Sequence, residues 1–266
     1  MEPFLKITRD DAVVTVTLNR PDDRNAITER SQSEEFADFC AQATRDLSIR
    51  AIILTGAGKA FCSGGNVKNM RDKEGMFAGT PYEQRNYYRT SVQMIGNALI
   101  ALEVPIIAAI NGPAIGLGLD ITCMCDIRIA SDRAVMAESY VKLGIIPGGG
   151  GAWLLPRVIG MARASQMTLT GDTIDAAKAL EYGLVSEVVP GEQLLDRARE
   201  IADSIATNPG HATRMAKRLM REGQHMQLGS LLEMAAAYQA LSHHTDDHHE
   251  AIEAFLDKRE PHFTGR

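Results

Sequence analysis

The chain has 266 residues, 45% hydrophobic and 23% charged, with 28 Lys and Arg against 34 Asp and Glu for a formal net charge of −6. That balance fits one large apolar core and excludes disordered and fibrous classes, while the acidic surplus argues against nonspecific nucleic-acid binding, which needs a field of Lys and Arg. Its four cysteines, Cys40, Cys62, Cys123 and Cys125, have neither CxxC spacing nor the density of a secreted scaffold, so reduced thiols that serve packing are expected.

Residues 1–9 lack the basic start and apolar run of a secretory signal, and no uninterrupted apolar segment approaches the roughly 20 residues of a membrane span, so the chain reads as cytoplasmic. Val13–Leu18 is rich in β-branched residues and stops at Asn19-Arg20-Pro21-Asp22-Asp23, a strand followed by a loop. Residues 28–45 read as a helix with Thr28 at its N-cap. Ala51-Ile52-Ile53-Leu54-Thr55 and Pro105-Ile106-Ile107-Ala108-Ala109-Ile110 are short apolar runs without alternation, the pattern of strands covered on both faces, and Ile127-Arg128-Ile129-Ala130 is a third. Helical patterns separate them, which predicts an α/β core built from right-handed crossovers. Residues 72–85 hold Gly75, Gly79, Pro81 and many polar side chains, the composition of a mobile loop. From Gly160 onward the pattern is mostly helical: 162–170, 175–182, 192–207 and three more stretches to Arg259.

Two glycine-rich turns follow apolar runs: Phe61-Cys62-Ser63-Gly64-Gly65-Asn66 and Asn111-Gly112-Pro113-Ala114-Ile115-Gly116-Leu117-Gly118-Leu119-Asp120. Two such turns could aim two backbone N–H groups at one oxygen, an oxyanion hole for carbonyl or thioester chemistry. Asp120 puts an acid/base group beside it. Gly56-Ala57-Gly58-Lys59 fails the spacing of a phosphate loop, and Gly116-Leu117-Gly118 has Ile121 where a dinucleotide fingerprint needs its third glycine. His243, His244, His248 and His249 stand among Asp246, Asp247 and Glu250, which reads as a solvated junction between helices, and no metal site is expected. The Gly148-Gly149-Gly150-Gly151 run after Pro147 reads as a tight turn permitting close packing.

Gly58-Lys59-Ala60-Phe61-Cys62-Ser63-Gly64-Gly65-Asn66, the segment 111–126, Leu143-Gly144-Ile145-Ile146-Pro147-Gly148, Leu169-Thr170-Gly171 and Tyr182-Gly183-Leu184-Val185 together resemble the crotonase (enoyl-CoA hydratase/isomerase) superfamily over nearly the whole chain. The resemblance implies an α/β fold with a spiral of strand-strand-helix repeats, here residues 1–200, and a helical C-terminal region, 201–266, involved in trimer packing. It implies an acyl-CoA thioester substrate, no cofactor beyond the coenzyme A of that substrate, and a homotrimer or dimer of trimers. By position the oxyanion-hole amides fall on Gly65 and Leu117. Arg24, Ala26, Lys59, Phe61, Phe255 and Lys258 fall where coenzyme A would be held.

The two glutamates used by hydratases resembling this chain fall on Asp120 and Tyr140. A phenol with an ordinary pKa of about 10 is a poor general base near neutrality, although it can donate a proton or a hydrogen bond. Glu138 lies two residues earlier and would share a face with Tyr140 in an extended segment, which makes it the reserve carboxylate. A dienoyl-CoA isomerase branch also resembles the chain in having Asp at the position of Asp120, but its further carboxylates fall on Tyr140 and Gly148. The expected activity is therefore an enoyl-CoA hydratase of lyase type using Asp120 with Tyr140, Glu138 or water. The alternatives are an isomerase shuttling one proton on Asp120 and a noncatalytic or RNA-binding relative. The last would call for a lysine-rich helix, whereas 28–45 has only Arg30 and Arg45 as basic residues.

Overall fold

The computed structural model describes residues 2–265; Met1 and Arg266, the outer ends of the two expected regions, lie outside them. β1 (Leu5–Asp10) and β2 (Val13–Leu18) form an antiparallel hairpin. The sequence pattern passed over β1 because only Leu5 of its six side chains is buried. α1 (Arg30–Arg45) starts later than expected, because Gln32 Oε1 accepts from the N–H groups of both Thr28 (2.7 Å) and Glu29 (2.8 Å), leaving Glu29 as the N-cap. β3 (Ala51–Gly56) is buried along its whole length, as expected of a strand covered on both faces.

Three helices follow: α2 (Val67–Asp72), α3 (Pro81–Thr90) and α4 (Val92–Ala101). The stretch 72–85, expected as a mobile loop, holds a 3-10 turn at Gly75–Phe77 and the first half of α3. Thr80-Pro81-Tyr82-Glu83 is a capping box: Glu83 Oε2 accepts from the Thr80 N–H at 2.7 Å, and Thr80 Oγ1 accepts from the Glu83 N–H at 3.4 Å. Pro81 and the polar residues therefore open a helix.

The chain continues through β4 (Ile106–Ile110), β5 (Ala114–Ile115), α5 (Leu117–Met124), β6 (Ile127–Ser131), β7 (Val135–Ala137), α6 (Gly151–Ile159) and α7 (Met161–Thr170). Then come β8 (Thr173–Asp175), α8 (Ala176–Tyr182), β9 (Glu187–Val189), α9 (Leu194–Ala206), α10 (Gly210–Glu222), α11 (Leu228–His243) and α12 (Asp246–Asp257). A six-stranded sheet runs β1-β2-β3-β4-β6-β9, parallel from β2 onward, and a three-stranded sheet runs β5-β7-β8. β8 and β9 interrupt the region expected to be helical; three residues each are too few to show a period of two.

The chain steps from the large sheet to the small one and back through a helix: β4, β5, α5, then β6, β7 and the helices after it. The first step is marked by an isolated parallel bridge from Cys62 to Ala114 of β5. This is the strand-strand-helix spiral. α9 spans residue 200 and buries Leu194, Ala198 and Ala202 with Ile53, Ile107 and Ile129 beneath the large sheet. α10 is fastened to the core by buried cations. Arg214 donates to the carbonyls of Thr44 (2.7 Å) and Asp46 (2.8 Å), and Lys217 Nζ to that of Val104 at 2.6 Å. The four histidines sit where α11 meets α12, as expected. All four cysteines are buried and unbridged, and burial pushes their thiols up to about 12. No helix among the described residues is long and apolar enough to cross a membrane.

Candidate active site

The two glycine turns meet. Gly64 has φ +79°, a conformation open to glycine, and a Cβ there would lie 2.7 Å from the Ile115 carbonyl oxygen and 3.3 Å from the Leu117 nitrogen. Gly118 is pressed as closely on the first turn, since a Cβ would fall 2.0 Å from the Cys62 carbonyl oxygen. These contacts set the Gly64-Gly65 backbone beside the first residue of α5. Neither the Gly65 nor the Leu117 N–H donates to another protein group among the described residues. Leu117 opens the helix, so its N–H carries the positive end of the dipole.

Asp120 lies one turn into α5 and is 1% exposed. Tyr140, in the 3-10 turn Ser139–Leu143, donates its hydroxyl to Asp120 Oδ2 at 2.8 Å. Glu138 precedes that turn and is completely buried. A Cβ on Gly151 would sit 2.1 Å from Glu138 Oε1 and 2.2 Å from Asp120 Oδ1, so the two carboxyls flank one point. The glycine run thus works as the expected close-packing turn: Gly149 and Gly151 leave room that any side chain would take from the acids.

The electrostatics follow from burial. Asp120 Oδ1 and both Glu138 oxygens lack a hydrogen-bond donor. Desolvation raises the Asp120 carboxyl to about 6, against the opposing hydrogen bond from Tyr140. Desolvation, then the neighbouring Asp120 charge, lifts Glu138 to about 9. Two carboxyls this close and this dry hold one proton between them near neutrality, and that proton can bridge only one oxygen of each, leaving the other Glu138 oxygen without a donor. Tyr140 is pushed well above its ordinary value by burial and by Asp120, so it stays a hydrogen-bond donor.

A cavity of about 910 Å³ opens beside this cluster, lined by Met70, Phe77, Tyr88, Leu143, Ile145 and Gly148 among others. Met70 and Phe77 touch the Gly65 position, where a Cβ would meet Met70 Cε at 2.9 Å and Phe77 Cζ at 3.6 Å. Tyr88 packs on Gly148, one residue before the glycine that faces Asp120.

Four of the six positions expected to hold coenzyme A are drawn together, by a residue the sequence reading gave no role. Asn25 is fully buried; its Nδ2 donates to the carbonyls of Ala57 (3.0 Å), Ala60 (2.8 Å) and Phe61 (3.1 Å), and its Oδ1 accepts from the Arg20 N–H. Ser63 N–H donates to the Arg24 carbonyl and Ile27 N–H to that of Gly64. Arg24, Ala26, Lys59 and Phe61 therefore border the Gly65 turn, with Arg24 and Lys59 exposed. The Phe61 ring belongs to the core, so its side chain underpins the turn instead of facing solvent. Phe255, 83% exposed, and Lys258 lie at the end of α12, and this hydrogen-bonded network does not reach them among the described residues. An Asn closing the proline-containing stretch Pro21-Asp22-Asp23-Arg24 was the available signal for Asn25.

Fold and site together define a spiral α/β protein of the crotonase type. The chain belongs to the enoyl-CoA hydratase/isomerase family, whose model matches residues 8–266. It is 34% identical to 1,2-epoxyphenylacetyl-CoA isomerase of Escherichia coli K12 over 100% of both chains. It is also 34% identical to the short-chain-enoyl-CoA hydratase of Clostridium acetobutylicum, over 95% of this chain and 94% of that one. Among solved structures, the enoyl-CoA hydratase from Bacillus anthracis superposes with a TM-score of 0.92 at 35% identity, covering 99% of this chain and 100% of the other.

Proposed function

We propose that the protein hydrates an enoyl-CoA, stabilising the thioester enolate with the Gly65 and Leu117 amides. The observation that carries this reading is the placing of two uncommitted backbone N–H groups beside the buried carboxyl pair of Asp120 and Glu138. Ionised Asp120 takes a proton from water as the water oxygen bonds to Cβ and electrons move to the thioester oxygen; protonated Glu138 then gives its proton to Cα as the enolate collapses, and the proton on Asp120 passes back to Glu138 to reset the pair. Tyr140 orients Asp120 through the 2.8 Å hydrogen bond. Removing one donor of an oxyanion hole typically costs about 100- to 1000-fold in rate, so amides held by the fold are a large part of the catalysis.

Arg24, Ala26, Lys59 and Phe61 support coenzyme A at the mouth of the site, and no cofactor beyond that coenzyme A is invoked. Phe255 and Lys258 are proposed to reach it in an assembled trimer or pair of trimers, formed through the region 201–266. Exposed Leu228, Leu232, Leu241 and Leu256 on α11 and α12 support an assembly surface there. A cytoplasmic setting suits the unpaired thiols.

The test is crotonyl-CoA hydration, followed by loss of enoyl-thioester absorbance and by gain of one water in the product mass. Absence of turnover with short, medium and long chains would overturn the hydratase reading. Asp120 with a single donor also suits proton shuttling by one base, the isomerase reading; it predicts a product of unchanged mass from a 3-enoyl-CoA.

A further inference from the structure

The cavity is apolar where it meets Gly65, at Met70 and Phe77, and it carries three cations whose side chains are exposed. Met70, Phe77 and Tyr88 supply apolar wall, and Lys73, Arg85 and Arg89 are its charged members. Among the described residues no acidic side chain lines it. Lys73 caps the end of α2, and Arg85 and Arg89 stand four residues apart on α3, flanking Tyr88 on the side turned to the cavity. A like-charge pair at that spacing destabilises a helix. Only the position of Arg89 in the last turn of α3, at the negative end of the helix dipole, offsets it; none of the three cations forms a salt bridge among the described residues, although Arg71 pairs with Asp72 and Arg30 with Glu34.

We infer that the acyl chain accepted here ends in a carboxylate, which these cations meet after an apolar spacer. The inference rests on the acyl-CoA reading above and adds the substrate class. Apolar atoms of the chain would lie along Met70, Phe77 and Tyr88, and the terminal anion would reach the guanidinium groups, whose planar forks match a carboxylate in bidentate geometry. The exposed heads keep their hydration until the anion arrives, so the site gains selectivity without holding a desolvated charge in the free enzyme.

The experiment compares trans-2-hexenoyl-CoA with trans-2-hexenedioyl-CoA, chains of equal length differing in the terminal carboxylate. At low ionic strength kcat/KM is expected to favour the diacid by about tenfold, the scale of one charge-assisted contact, with the preference shrinking as salt is added. In the double variant Arg85→Met/Arg89→Met the ratio should fall to about one, whereas Arg85→Lys/Arg89→Lys should keep part of it. Calorimetric binding of adipoyl-CoA, hexanoyl-CoA and free CoA reads the same preference without turnover. Equal binding and equal kcat/KM for the two chains overturn the anionic tail and leave the hydratase reading standing. Preference for adipoyl-CoA with no turnover of either enoyl chain supports the tail and overturns the hydratase reading. If the methionine variant weakens free CoA as much as adipoyl-CoA, the cations hold coenzyme A phosphates and the inference falls.

Discussion

Helix α5 has an acid near each end, Asp120 buried and Asp126 half-buried, and the protein treats the two oppositely. Beyond its C-terminus, Asp126 accepts from the Ile106 N–H at 2.8 Å, Lys217 Nζ at 2.7 Å and Arg221 at 2.9 Å, so both oxygens are engaged. In its first turn, Asp120 has one donor, Tyr140, and its other oxygen faces Glu138. Asp120 is withdrawn from water and Asp126 only partly, yet it is the more exposed acid that is fully compensated. A satisfied charge fastens α10 to the core, whereas an unsatisfied buried one costs stability and is retained where chemistry needs a carboxyl of altered acidity.

The contrast breaks most sharply under Asp120→Asn. Turnover is expected to fall by about 100- to 10,000-fold, the range for removing a general acid/base, while acyl-CoA affinity stays near wild type and the melting temperature does not drop. Near-wild-type turnover would take the catalytic role from Asp120. Asp126→Ala should do the reverse: stability falls by about 3–5 kcal/mol, because Lys217 is left buried beside an absent partner, and the surviving folded enzyme keeps its turnover. Urea denaturation measures the first and active-site-normalised kinetics the second. Equal stability loss at both positions would erase the distinction.

Glu138→Gln sharpens it through pH. The Glu138 carboxyl rises from an ordinary 4.5 to about 9 through burial and the Asp120 charge. Below the unfolded value both states carry the proton and the position costs nothing. As pH climbs past it, the unfolded chain releases the proton and the folded protein retains it, so wild type loses stability relative to the glutamine variant until the folded carboxyl ionises. The variant should gain about 1–3 kcal/mol on wild type between about pH 5 and pH 8. A difference that stays flat over that window removes Glu138 from the proton-sharing pair. In kinetics, activity should rise as the pair loses its first proton at about 6 and fall as it loses the second at about 9.

The parts of this comparison differ in how far the sequence disclosed them. The buried strands were legible because continuous apolar runs have few other fates, and β3 and β4 are indeed covered along their full lengths. The turns at Gly64 and Gly118 were legible because close backbone approach demands glycine. β1, β8 and β9 were hidden by their exposure or brevity. The stretch 72–85 misled because a capping box around Pro81 has the composition of a loop. Glu138 was named only as a reserve, since whether residues 138–140 run extended or helical decides which side chains share a face. The observed turn, with Glu138 at φ −96° and ψ 58°, is neither, and long-range packing against Gly151 brings the two acids together. Asn25 was overlooked because its partners, 32 to 36 residues away, appear only when the fold closes.

The smallest effect distinguishes orientation from chemistry at Tyr140. Removing its hydroxyl in Tyr140→Phe deprives Asp120 of the donor that opposes desolvation, so the acid's pKa should climb further and the rising limb of the pH–rate profile should move to higher pH. Because one unit of pKa is tenfold in protonation, kcat near neutrality should fall by about three- to tenfold, with the plateau at higher pH nearly restored. If Tyr140 instead delivers the proton to Cα, the plateau itself drops and no change of pH recovers it. An unchanged profile would make the ring a pocket wall and leave the Asp120–Glu138 pair to divide both proton transfers.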